Sequence, residues 1–310
     1  MIAVKAYSTI ANLGPGFDVF GLAIDLSYDI VKVTKINEGI QLIVEGKYAN
    51  MVPSEVEKNC AGLAAKAFLK EFNIANGVKI ELDKGVKPGL GFGSSGASAA
   101  GVTVALNELF NLGLSRERLV PIAAQGEIAS AGSAHPDNVS ASIFGGFTMV
   151  QYGIELRIIR ITPPKNLKVA VAIPQLPILE RKTEKARAVL PKEVSLSLLT
   201  QNLSNASSMV AGFLLGDVDL IGRGMMDRII EPARAQLVPG YHKIREYALK
   251  NGAAGVAISG AGPSMMAIVN SKKADASQVA EAMKKAFEES GFAAESYVSR
   301  PAEGVKVLED

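Results

Sequence analysis

Pro88-Gly89-Leu90-Gly91-Phe92-Gly93-Ser94-Ser95-Gly96-Ala97-Ser98 is the stretch whose reading decides the rest of the chain. Glycines alternate, two hydroxyls follow, and then Ala99, Val102, Ala105, Leu106, Leu109 and Phe110 recur at three- and four-residue intervals. That spacing predicts a helix with one apolar face, capped at its start by Ser94 or Ser95. A helix N-terminus presents free N–H groups and the positive end of its dipole, and glycines let backbone approach an anion closely. The stretch therefore has the make-up of a phosphate-binding loop. The plainer alternative is a glycine-rich connection into an ordinarily capped helix.

The spacing also excludes two loop types. A P-loop needs Gly-x4-Gly-Lys-Ser/Thr, and no lysine stands between these glycines and serines. Gly91, Gly93 and Gly96 formally match the dinucleotide pattern, which opens a βαβ unit and is answered by an acidic residue about 20 positions later. Here Glu108 comes too early, inside the predicted helix, and a long segment precedes the loop.

A chain of 310 residues, 48% hydrophobic, can bury a substantial core in one large or two medium domains. Lys and Arg number 33 against 31 Asp and Glu, a formal charge of +2, so nothing in the balance points toward nucleic acid. The single cysteine, Cys60, excludes a disulfide framework or a cysteine metal site and falls on an apolar stripe with Leu63, Ala64, Ala67 and Phe68, where it reads as packing. The first residues lack a basic-then-apolar signal, and no apolar run approaches the length of a membrane span. A soluble, cytoplasmic protein without membrane partners is the expectation.

Upstream, residues 2–7 alternate as a strand and enter a loop, Ser8 to Asp18, whose strong polar side chains are Asn12 and Asp18. Residues 28–36 and 40–44 read as a strand pair around Asn37-Glu38-Gly39, and Ser54 with Glu57 as the capping box of a helix reaching about Phe72, with Asn59 in its first turn. Val78–Leu82 is a strand leading through Lys84 into the glycine loop. Downstream, Ser115 opens a helix, Glu127 lies beyond it, and His135-Pro136-Asp137-Asn138 reads as a polar loop in which His135 and Asn138 are site candidates. Strands are expected at 145–150, 156–161 and 168–173, with Pro163-Pro164 marking a boundary between domains 1–163 and 164–310. The second domain carries Arg187, a helix from about Ser195 to Leu215, Arg234, a strand–turn–strand around Gly260-Ala261-Gly262-Pro263, a helix over 276–290 and a last strand at 295–298. Helices mixed with alternating strands place the chain in the α+β class.

Three of these stretches together resemble the GHMP kinase superfamily: Ala11-Asn12-Leu13-Gly14-Pro15-Gly16-Phe17-Asp18, Gly91-Phe92-Gly93-Ser94-Ser95-Gly96-Ala97 and Ser259-Gly260-Ala261-Gly262-Pro263-Ser264. His135-Pro136-Asp137-Asn138-Val139, Thr183-x-x-Ala186-Arg187-x-x-Leu190-Pro191 and Glu231-Pro232-x-Arg234 narrow the likeness to the homoserine kinases. The loop departs from the family's pattern in Phe92, where Leu is usual, and in Pro88, which stands three rather than four residues before Gly91. The resemblance implies a GHMP kinase fold, with a first domain like domain 2 of ribosomal protein S5 and a ferredoxin-like second. It implies transfer of the ATP γ-phosphoryl group to the hydroxyl of L-homoserine, by positioning rather than through a dedicated base, in a homodimer. By position, Pro88, Gly89, Leu90, Gly91, Phe92, Gly93, Ser94, Ser95, Gly96, Ala97 and Ser98 would wrap ATP, with Asn59 and Thr183 nearby. Ser95 and Glu127 would hold Mg²⁺. Asn12, Asp18, His135, Asn138, Arg187 and Arg234 would line the homoserine pocket. Two arginines suit a carboxylate, and Asp18 suits either the ammonium or the hydroxyl.

Overall fold

Alternating apolar residues build the first sheet from both ends of the chain. In the computed structural model, which describes residues 1–131, 134–177 and 182–309, β1 (Ile2–Asn12) and β2 (Gly16–Ile36) form a long antiparallel hairpin. Val4, Ala6, Val31 and Val33 point inward from it and are fully buried. The sheet runs β11-β1-β2-β4-β3, where β3 is Ile40–Glu45, β4 is Gly77–Asp83 and β11 is Lys306–Leu308. A branch of β5 (Phe147–Gln151) and β6 (Arg157–Ile161) pairs onto β2.

The expected pairing of residues 28–36 with 40–44 does not form. β4 lies between them, and β3 pairs with it in parallel. Burial explains the order: β4 contributes Val78, Ile80 and Leu82 to the core, whereas no residue of β3 is fully buried, so β3 takes the edge. The expected loop from Ser8 to Asp18 is likewise mostly strand, with the turn confined to residues 13–15.

Helices α1 (Cys60–Glu71), α2 (Ser94–Phe110), α3 (Arg116–Ala131) and α4 (Pro136–Phe144) pack together, with α2 against β1 and β2. The Ser54–Glu57 capping box is overruled: Asn59 is the N-cap of α1, its Oδ1 accepting from the Ala61 N–H at 2.9 Å, and a short 3-10 turn occupies Val56–Lys58.

The second sheet, wholly antiparallel, runs β10 (Ala294–Ser299), β7 (Leu167–Pro174), β9 (Met265–Asn270), β8 (Gly255–Ile258). In chain order that is 4-1-3-2, the order of a ferredoxin-like split βαβ layout. α9 (Tyr241–Lys250) and α10 (Ala276–Glu288) cover one face through Ile244, Ala248, Val279, Met283 and Phe287. On the other side, α6 (Leu196–Leu215) and α7 (Val218–Gly224) join the core of the first sheet. Phe213 of α6 stacks on Phe147 of β5 at 4.0 Å between ring centres, locking the two halves together. Two short helices, α5 (Lys182–Ala188) and α8 (Ile230–Arg234), lie beside the cleft. Among the described residues no helix is long and apolar enough to cross a membrane.

Candidate active site

Backbone approach dictates the glycines of the loop. Gly89, Gly91 and Gly93 all have positive φ, of 80°, 90° and 60°. A Cβ on Gly91 would sit 2.0 Å from the Ser259 carbonyl oxygen, and one on Gly93 would sit 1.9 Å from Thr9 Oγ1. The loop is thus wedged between β1 and the C-terminal turn, where Ser259 Oγ also donates to the Gly91 carbonyl at 2.8 Å.

The serine cap does not form. Gly93 is the N-cap of α2, no side chain caps it, and Ser94 Oγ donates backwards to the Val86 carbonyl at 2.7 Å. The first N–H groups of α2 are therefore left without a capping side chain, which is what an anion requires. Leu90 and Phe92 bury their side chains in the core, so the loop faces the cavity through its backbone.

Under the loop lies an ion pair that sequence reading did not single out. Lys84 Nζ meets Asp29 Oδ2 at 2.5 Å and also donates to the Ser94 carbonyl at 2.8 Å and to Ser98 Oγ at 2.9 Å. Asp29 Oδ1 accepts from the Gly85 and Val86 N–H groups at 3.0 and 2.9 Å. Ser98, expected at the nucleotide, spends its hydroxyl on Asp29 at 2.7 Å. Asp29 and Lys84 are far apart in sequence, and each reads alone as an ordinary strand or loop residue.

Flanking the β1–β2 turn are Asn12, the last residue of β1, and Asp18 of β2, both non-glycine residues at positive φ, 71° and 58°. Asn12 holds them there: its Oδ1 accepts from the Asp18 N–H at 3.1 Å and its Nδ2 donates to the Gly260 carbonyl at 3.0 Å. One Nη2 of Arg187 reaches both Asp18 oxygens at 2.8 Å. The guanidiniums of Arg187 and Arg234 flank the Phe17 ring at 5.2 and 5.1 Å from its centre. Arg234 is buried and tied by Nε to the Ala186 carbonyl at 3.2 Å and by Nη1 to the Gly260 carbonyl at 3.1 Å. Its own motif partner, Glu231, anchors α8 to β8 by accepting from the Ile258 N–H at 2.5 Å.

Asp137 and Asn138 are not in a loop, whereas His135 is the last residue before the helix. Pro136 occupies the first turn of α4, whose fixed φ suits a helix start, so His135 becomes the N-cap position and Asn138 projects from the first turn. Asn138 Oδ1 accepts from Thr9 Oγ1 at 2.8 Å. Burial, reinforced by Arg187, pushes the His135 pKa down, which keeps its imidazole neutral. Burial pushes the Asp137 carboxyl up to about 7, helped by the charge of Asp18.

Glu127 lies within α3 rather than beyond it, because the helix continues to Ala131. Burial raises its carboxyl to about 7 against the counteracting hydrogen bond from Ser95, so these two side chains meet. A hydroxyl beside one carboxylate is an oxygen donor set of the kind Mg²⁺ takes from protein when phosphates and water supply the rest. Among the described residues no cluster of three or more His, Cys, Asp or Glu could hold a metal.

Asn59 and Thr183 line a single cavity of about 320 Å³ together with Asn12, Asp18, Ser95, Glu127, His135, Asn138, Arg187 and Arg234, with Met51, Val52 and Pro53 as an apolar wall. Of the expected site residues, Leu90, Gly96 and Ala97 do not line it. Gly96 instead lets α4 come close, since a Cβ there would sit 3.1 Å from that of Asn138. The Asn59 amide is spent locally on Ala61 and on the Pro53 carbonyl at 2.7 Å. Asp137, within the His135–Val139 motif though not singled out there, lines the cavity too, as do Lys84 and Lys182, which carried no distinguishing signal in the sequence.

Residues 59–146 match the model of the GHMP kinases N-terminal domain, and residues 209–289 that of the GHMP kinases C-terminal domain. A homoserine kinase of Methanocella arvoryzae is 43% identical over 309 residues, covering 99% of this chain and 97% of that protein. One of Natronomonas pharaonis is 40% identical over 308 residues, 99% of this chain and 100% of the relative. The crystal structure of a homoserine kinase from Cytophaga hutchinsonii superposes with a TM-score of 0.89 at 35% identity, over 99% of this chain and 97% of that one. The glycine loop, the Asn12–Asp18 turn and the Gly260–Pro263 turn thus meet in one cleft of a chain that belongs to the homoserine kinase family of the GHMP kinases.

Proposed function

We propose that this chain transfers the γ-phosphoryl group of ATP to the side-chain hydroxyl of L-homoserine. The observation that carries the reading is one cavity lined by two chemistries: the backbone of a glycine loop, and the side chains of Asp18, Arg187, Arg234, His135 and Asn138. Phosphoryl transfer asks for in-line positioning and charge neutralisation rather than covalent work by the protein.

The residues divide accordingly. Gly89, Gly91, Gly93, Ser94 and Ser95 hold the phosphates through backbone and hydroxyl, while Asn59 and Thr183 stand by the nucleotide. Mg²⁺ is held by Ser95 and Glu127, and supplies charge neutralisation for the phosphates when bound. Arg187 and Arg234 take the amino acid's carboxylate, and Asp18 takes its ammonium. Asn138 and the neutral His135 orient the hydroxyl, since both can donate and accept.

Asp18 acts by positioning: both its oxygens already accept from Arg187, and a proton taken there would cost one of those bonds. We retain 1–163 and 164–310 as the two domains, with β11 returning to the first sheet. The expected homodimer has an apolar face to use in α6, which carries no charged residue and exposes Leu196, Leu199, Leu203 and Leu214. Sedimentation velocity tests it, a single monomer boundary at micromolar chain arguing against.

A coupled ADP-release assay with L-homoserine, mevalonate and shikimate tests the reaction. The reading requires magnesium-dependent turnover with homoserine alone. Turnover with either of the other acceptors, or ATP binding without turnover on any, contradicts it.

A further inference from the structure

The glycine loop lacks the lysine that a P-loop carries within itself, yet an ammonium stands against it from the other half of the chain. Lys182, the first residue of α5, donates from Nζ to the Gly89 carbonyl at 3.0 Å and to the Gly262 carbonyl. These two acceptors belong to neighbouring segments, one in the glycine loop and the other in the C-terminal turn packed on it. An ammonium has three donors, and two are spent here on neutral carbonyls. Among the described residues no carboxylate pairs with Lys182. The charged side chain set against it is another cation, Arg234 of α8, and the loop segment Pro88–Gly93 and the turn Ser259–Pro263 contain no ionisable group. A cation held in a cavity without a counter-ion is costly unless an anion arrives there. The pressure is visible in its pKa, which burial, with Arg234, pushes down to about 7.

We propose that Lys182 binds the terminal phosphates of the nucleotide, supplying in trans to the glycine loop the cation that the loop's own sequence omits. This rests on the ATP site proposed above and goes beyond it by naming a further phosphate-binding residue. Position supports the assignment: a group hydrogen-bonded to Gly89 is already at the mouth of the loop whose N–H groups face the phosphates. The third N–H, which no described residue takes, can point at them, and a polyphosphate supplies the counter-charge that no described residue supplies. The same side chain fastens the loop to the Gly260–Pro263 turn, since one carbonyl partner belongs to each.

The test compares ATP and AMP affinities by isothermal titration for the wild type, Lys182→Met and Lys182→Arg. Lys182→Met weakens ATP by roughly 30- to 100-fold, the scale of one charge-assisted contact to phosphate, and leaves AMP within about twofold. Lys182→Arg restores most of the loss, since it keeps the charge. If the methionine variant does not fold, amine acylation of the wild type reads the same point: ATP protects Lys182 and AMP does not. ATP affinity in Lys182→Met equal to wild type, equal losses for ATP and AMP, or no selective protection overturns the proposal. A wild type that binds neither nucleotide overturns the ATP site itself, a separate result.

Discussion

Two carboxylate–cation pairs stand at the cleft, one beneath the glycine loop and one lining the cavity, and they are built to opposite standards. Asp29 and Lys84 are 0% and 1% exposed, and every donor of Lys84 and both oxygens of Asp29 have partners. Asp18 and Arg187 are 31% and 34% exposed, a single Nη2 serves both oxygens, and Arg187 Nε is buried without a hydrogen bond among the described residues. A buried pair offsets its desolvation only when its remaining lone pairs and protons are satisfied, which is the case for Asp29–Lys84. It holds the Ser94 carbonyl and the Gly85–Val86 backbone, and so fixes the glycine loop from below. The second pair keeps capacity unused. Its fork can take another carboxylate in two bonds without breaking anything buried. The contrast separates scaffold from site: complete polar satisfaction marks the first, and a deliberate remainder marks the second.

The sharpest way to break the comparison is Lys84→Met, which strands the Asp29 carboxylate in the core. Unfolding free energy by urea titration should fall by about 3–5 kcal/mol, with phosphate-loop function lost as a consequence. A loss below about 1 kcal/mol would make the two pairs equivalent in kind. Next in size is Arg187→Lys. Losing the planar fork should lower kcat/KM for homoserine on the order of 100-fold, chiefly through KM, with stability within about 0.5 kcal/mol of wild type. A comparable loss of stability instead would place Arg187 in the scaffold.

Glu231 sharpens the comparison as a buried carboxyl that, among the described residues, forms no ion pair, Arg245 acting on it only through its charge. It accepts from the Ile258 N–H and from the Tyr241 hydroxyl at 2.5 and 2.8 Å, and burial pushes its pKa from 4.5 up to about 7. The folded state keeps this proton where the unfolded chain has released it. Its contribution to stability is therefore full below about 4.5 and is lost as pH rises to about 7. Glu231→Gln should remove that loss, so the difference between variant and wild type should shift by about 2 kcal/mol between pH 5 and pH 8 in favour of the variant. A constant difference would mean that Glu231 does not titrate in this window.

The smallest effect is expected from Asp18→Asn. It should raise KM for homoserine about tenfold while kcat stays within a few-fold, as befits a group that binds. A collapse of kcat at saturating substrate would make Asp18 a base.

The same contrast explains what was legible in the sequence. Local patterns carry local structure: the periodicity from Ala99 to Phe110 is α2, the run over 276–290 is α10, and the Gly260–Pro263 turn joins two paired strands. The open site was legible because its residues sit in compact motifs, and Asn12, Asp18, His135, Asn138, Arg187 and Arg234 do line one cavity. Pairings over distance were not. β3 chose β4 over β2 because burial across the sheet decides the neighbour. Asn59 displaced the Ser54–Glu57 cap because its amide bridges Pro53 and Ala61. β11, three exposed residues long, has no pattern of its own. Asp29 and Lys84 met only because two strands set them side by side, and Lys182 reaches the loop from an element that follows it by a domain.

The central claim is that the acceptor's carboxylate occupies the arginine pair. Turnover of L-homoserine and of its analogue with the carboxylate reduced to a hydroxymethyl group, measured as ADP released and as phosphoester formed by 31P NMR, tests it most directly. The prediction is stoichiometric phosphorylation of the L-homoserine side-chain hydroxyl and a loss in kcat/KM of at least about 100-fold for the analogue, largely abolished as a difference in Arg187→Ala. Equal turnover of the two compounds by the wild type would contradict it.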